Sequence, residues 1–141
     1  SGADLLAGVV DAIADGTASA VPQQGEPTLA PKLTQVDGAL DLSQPADRVV
    51  DRFRGTTPEP GAHVTLAGQR VKVLAAMRGA DADLPAGRLA LIDGEVLVGA
   101  GTGTVLLRNV QPAGKGPMAA TDWWRGLRTD DPRIDLPGEA R

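Results

Sequence analysis

The chain has 141 residues, a formal net charge of −4 and no cysteine. Disulfides and thiolate zinc sites are therefore excluded, and a reducing cytoplasm is the expected setting. No run of about 18 apolar residues offers a membrane-spanning helix, and "SGADLLAGVVDAIADG" at the start lacks the basic stretch of a secretory signal.

The charge is unevenly placed. Residues 1–51 carry a net of −6, residues 52–128 a net of +4 and residues 129–141 a net of −2. A basic middle inside an acidic chain can steer a polyanion through its local field, although solvated arginines are the plainer account of the same pattern.

In chain order, Leu5, Leu6, Val9, Val10 and Ile13 recur at helical spacing, and Gly16 is a natural stop. A single amphipathic helix of about three turns is marginal alone, so its apolar face wants a partner, inside or outside the chain. Residues 17–30 read as a linker punctuated by Pro and Gly. A second helix is expected with Ser43 as cap, Pro45 in the first turn, a stripe of Ala46, Val49, Val50 and Phe53, and Gly55 as its end. Arg48 and Arg52 lie off that stripe, with Asp47 and Asp51 near enough to offset them in part.

After Gly61 the period becomes alternating. Strands are expected near 62–67, 69–77, 87–93, 95–101 and 104–111, with turns at Ala67-Gly68, Asp93-Gly94 and Thr102-Gly103. A short helix, "AATDWWRGL", should follow. The fold class expected is mainly β with flanking helices: a small, open Greek-key barrel of the oligonucleotide/oligosaccharide-binding (OB) type, with five to six strands.

No catalytic constellation is legible. His63 is the sole histidine and starts a strand, where a structural role is the stronger reading. Asp37 and Asp41 flank Gly38 in a turn, where carboxylates usually cap amides or are solvated. "GAGTGT" at 99–104 leads into a strand, so it reads as a hairpin turn and not as a phosphate-cradling loop.

Five stretches in order resemble the C-terminal part of bacterial methionyl-tRNA formyltransferase: "TLAPKLT", "DGALDLSQPADRVVDRFRG", "TPEPGA", "RVKVLAA" and "VQPAGKGPMAATDWWRG". "APKLT" with "VQPAGK" is the most diagnostic pair. The similarity fades after about residue 128. The resemblance implies residues 1–27 as an interdomain helix and linker, and 28–141 as an OB-like tRNA-binding domain. It also implies a separate N-terminal catalytic domain that transfers a formyl group from 10-formyltetrahydrofolate to methionyl initiator tRNA. This chain lacks that domain's signatures and is expected to be non-catalytic alone, without a cofactor or metal of its own, and a monomer. Two alternatives remain open at this stage. One is a docking barrel without intrinsic RNA binding, and the other is the C-terminal domain of another formyltransferase, against which "APKLT" argues.

Lys32 matches the family's linker lysine associated with tRNA binding. Lys115, in "AGKGPM", lies on a glycine-rich loop, although Gly116 stands where many relatives have a second basic residue. Lys72 and Arg70 alternate onto one strand face, and Arg52, Arg54 and Arg125 could extend a basic surface. Leu42 and Glu59 stand where family members commonly have tryptophan. Leu42 keeps an apolar packing role, whereas Glu59 puts a tRNA contact at that turn in doubt. Of Trp123 and Trp124, adjacent in a helix, one should pack on the barrel and the other be partly exposed.

Overall fold

The computed structural model describes residues 1–137, which fall into two compact units, one ending at Pro31 and one beginning at Lys32. In the first, helix α1 (Gly2–Ala14) opens on a capping box. The Ser1 hydroxyl accepts from the Asp4 amide at 3.4 Å, and the N-terminal amine donates to the Asp4 carboxylate at 2.8 Å. None of its residues is buried, and Leu5, Leu6, Val9, Val10 and Ile13 are all exposed.

The second unit begins with a short 3-10 helix, Gln35–Gly38, and helix α2 (Ala46–Thr56). Six strands follow: β1 (His63–Leu66), β2 (Gln69–Arg78), β3 (Leu89–Ile92), β4 (Glu95–Gly99), β5 (Thr104–Pro112) and β6 (Met118–Ala119). Helix α3 (Ala120–Arg125) comes next. The strands form one curled antiparallel sheet ordered β1-β2-β5-β4-β3, with β6 added to β5. This half-barrel with flanking helices is consistent with a small OB-like barrel, as the alternating pattern implied. Both two-residue hairpins, Ala67-Gly68 and Asp93-Gly94, take positive φ at both positions, the geometry that matches strand twist.

The inner face of the sheet packs Val71, Val73, Val96, Val98, Val105 and Val110 against Leu42 and the Ala46/Val49/Val50 stripe of α2. Leu42, 1% exposed, packs in that core, and Trp123 is buried beside a half-buried Trp124.

Two expectations are corrected. Ser43 does not cap α2: its hydroxyl donates to Asp41 at 2.6 Å, and Pro45 holds the cap position. The Ala46 amide instead donates to the Thr102 carbonyl at 2.9 Å, and the Gly101 amide to the Gln44 carbonyl at 2.9 Å. The loop between β4 and β5 thus seats the start of the helix. A Cβ on Gly101 would collide with the Ser43 carbonyl, which accounts for a glycine in "GAGTGT" by close approach. Nor does Gly55 end the helix, which continues to Thr56, whose hydroxyl donates back to the Arg52 carbonyl at 2.8 Å.

A further pairing escaped the sequence reading. Residues 132–135 lie between the two outer strands. The Asp135 amide donates to Thr65 of β1 at 2.8 Å, the Leu89 amide of β3 donates to Pro132 at 3.0 Å, and the Ile134 amide donates to Gly87 at 2.8 Å. Ile134, 2% exposed, plugs the core at that seam.

Candidate nucleic-acid interface

The alternation of β2 buries Val71 and Val73 and turns Arg70 and Lys72 to the outer face, as expected. Lys72 stands opposite His63 of β1 and Gln111 of β5, and side chains directly opposite share a face. The Gln111 amide donates to the Lys115 carbonyl at 3.0 Å, which ties the Lys115 loop to this strip. Lys72 and Lys115 are exposed, and among the described residues neither has an ion-pair partner within 4.0 Å.

At the other end of the strip Arg70 is half-buried. Its Nη1 donates to Gln35 Oε1 at 2.8 Å, and its Nη2 lies 3.3 Å from His63 Nδ1. A guanidinium only donates, so the Arg70 contact needs the tautomer with its proton on Nε2, whereas the Gly61 carbonyl, 3.4 Å from the same Nδ1, needs that nitrogen to donate. Burial, with the nearby Arg70 charge, holds the His63 pKa below its ordinary value, against the opposing effect of the Gly61 carbonyl.

Gln35 belongs to the 3-10 helix that follows Lys32 by three residues. A capping box fixes that helix: Asp37 accepts from the Thr34 amide at 2.7 Å and from its hydroxyl at 2.8 Å. Those bonds hold the Asp37 carboxyl below its usual range, so this acidic group is turned onto its own turn. Arg52 reaches the same helix from α2, 3.5 Å from the Asp37 carbonyl.

Arg70 and Lys72 therefore share one strand face, and the Lys115 loop is tied to it through Gln111. Arg52 lies at its margin, and Lys32, exposed, precedes by three residues the Gln35 that Arg70 holds. Arg54 is spent on a loose pair with Asp51 at 4.0 Å, and Arg125 on Asp122 at 2.7 Å. Both pairs are local to their own helices. Gln35, His63 and Gln111, which join the basic groups to one another, were not singled out as site residues. For His63 and Gln111 the available signal was their place opposite Lys72 once the strand register is known; Gln35, on the 3-10 helix, offered none.

A groove of about 590 Å³ runs along α2 and is lined by Arg48 and Arg52 but also by Asp41 and Asp51. Its mixed charge favours neither anion nor cation. Among the described residues no cluster of His, Asp or Glu could hold a metal ion, and no helix is long and apolar enough to cross a membrane.

Comparison with known proteins gives the same architecture a lineage. A methionyl-tRNA formyltransferase of Clavibacter sepedonicus is 56% identical over 132 residues, covering 92% of this chain and 43% of the relative. The chain thus spans less than half the length of such relatives. A variant of HypX from Aquifex aeolicus shares the fold with a TM-score of 0.60 at 21% identity, covering 90% of this chain and 24% of that one. HypX from the same organism in complex with tetrahydrofolic acid gives 0.56 at 19% identity, covering 89% and 25%. Residues 32–128 match the model of the formyl transferase C-terminal domain, and the chain belongs to that family.

Proposed function

We propose that this chain is the tRNA-holding C-terminal domain of a methionyl-tRNA formyltransferase. In this reading the whole enzyme formylates methionyl initiator tRNA from 10-formyltetrahydrofolate in the cytoplasm, and the formyl transfer takes place on a catalytic domain outside these residues. The observation that carries the reading is the outer face of β2, where exposed Lys72 lies beside Arg70 and is joined through Gln111 to the Lys115 loop, with Lys32 three residues before the Gln35 that Arg70 holds. Lysines that are exposed and unpaired on a flat strip suit the phosphates of a folded RNA, where charge and reach suffice. With Phe53, Trp123 and Trp124 as the sole aromatic residues, the chain lacks a platform for stacked single-stranded bases.

In this reading the folate co-substrate is held by the catalytic domain outside these residues, and no step of the transfer is assigned to this chain. Residues 1–27, with the exposed apolar face of α1, serve as the junction to the catalytic domain. That exposed face also favours the second reading, a docking module whose basic residues are incidental.

Titration of the chain with initiator tRNA at stepwise salt separates the two. The tRNA reading expects binding that falls linearly in log–log form as salt rises, with Lys32→Ala reducing the slope by about one. Absence of binding at low salt would leave the docking reading.

A further inference from the structure

We propose that Arg70 acts on RNA binding indirectly, as the brace that holds the Lys32-bearing segment against the outer face of β1 and β2. The proposal rests on the tRNA-holding reading for its purpose and on the local geometry for its substance. Arg70 and Lys72 sit on the same strand face two residues apart, yet their donors are used differently. Lys72 is exposed and unpaired among the described residues, whereas Arg70 commits both terminal nitrogens to protein partners, Gln35 and His63. Its Nε is buried without a partner. A guanidinium committed in this way has little left to offer a phosphate.

The Gln35 contact lies where the chain needs it. Residues 32–40 are anchored at their far end by the backbone, since the Leu40 amide donates to the His63 carbonyl at 2.9 Å. Arg52 touches the middle of the segment through the Asp37 carbonyl, at 3.5 Å. Among the described residues, the last side-chain tether before Lys32 is Arg70 to Gln35, three residues away, a reach of at most about 11 Å. The Thr34–Asp37 box shapes the turn but bonds it to nothing else. Without the brace the lysine keeps its charge but samples more positions, and apparent affinity falls with the fraction of time spent in the competent one.

The test uses the 141-residue chain with initiator tRNA as probe. Gln35→Ala removes the acceptor from an exposed position without altering charge. It should weaken binding by about three- to tenfold and leave the salt slope unchanged. Arg70→Lys, which keeps the charge and loses the fork, should weaken binding to the same degree; a phosphate contact that needs only charge and reach would tolerate it. In the Lys32→Ala background, Gln35→Ala should add nothing. Additive losses overturn the proposal.

A readout without RNA keeps the outcomes apart. Amide hydrogen exchange at Thr34 and Asp37 should be faster in Gln35→Ala than in the unaltered chain, and unchanged in Gln35→Glu, which still accepts from Arg70. Equal exchange in all three means that no brace exists. If the unaltered chain binds no tRNA at low salt, the tRNA reading fails and takes the purpose of the brace with it, while exchange still decides the brace.

Discussion

Helices α1 and α2 carry the same kind of apolar stripe and meet opposite fates. In α2, Ala46, Val49 and Val50 are buried against the sheet, while in α1 every stripe residue is exposed. Periodicity specifies which face of a helix is apolar and leaves open what covers it. The capping box of α1, with its alanines and leucines, makes a helix without contributing to the core. The Lys32–Pro137 region carries the core.

The largest contrast should come from truncating one leucine in each region. Leu42→Ala should cost about 2–5 kcal/mol, because the site is closed on all sides. Leu6→Ala should leave the same unfolding transition within about 0.5 kcal/mol. Urea denaturation followed by the fluorescence of Trp123 and Trp124 reads both. Equal losses would mean that α1 is covered in solution.

Glycines sharpen the contrast at smaller amplitude. Gly101→Ala drives a Cβ into the Ser43 carbonyl and should destabilise the half-barrel by about 1–3 kcal/mol. Gly8→Ala, in open space within α1, should raise helicity by about 0.5–1 kcal/mol without moving the tryptophan-monitored transition. Circular dichroism beside fluorescence distinguishes them.

The smallest effect expected is a pH dependence. His63 is held neutral below its ordinary pKa, so between that depressed value and about 6.5 the unfolded chain binds the extra proton. Stability should therefore rise with pH through this window and fall on acidification. Protonation also removes the Nδ1 acceptor from Arg70 and leaves the ring to donate to the Gly61 carbonyl, 3.4 Å away. NMR titration of the sole histidine should show an apparent pKa below the usual value; Arg70→Gln should move it upward by removing the neighbouring charge. A normal value in the unaltered chain would place the ring in open solvent.

The sequence made strand positions and hairpins legible because a two-residue period with turn residues at its breaks is a local signal. Boundaries set by distant groups were not. Ser43 reads as a cap until Asp41 takes its hydroxyl and Thr102 supplies the acceptor for the Ala46 amide. Nothing in "DPRIDLP" alternates as a strand should, and its pairing depends on two strand edges already in place. For the site, charge and alternation pointed to Lys72 and Arg70, and the resemblance to Lys32 and Lys115. Arg52 reaches the Asp37 carbonyl at the margin, and Arg54 and Arg125 make exposed pairs with Asp51 and Asp122 of their own helices. Which neighbours Arg70 engages required the register between β1 and β2 and the fold-back of residues 35–40.

The seam formed by residues 132–135 has a consequence for synthesis. Ribosomes deliver residues in order, about 5–20 each second, and the edges of β1 and β3 stay open until Ile134 and Asp135 have been added and have left the exit tunnel. Through that interval the Thr65 carbonyl of β1 and the Leu89 amide of β3 lack their partners, and open strand edges are the condition in which neighbouring nascent chains pair. The stretch from Pro132 to Asp135 therefore acts as a latch on a timed process: until it arrives, a nearly finished sheet remains a template for association.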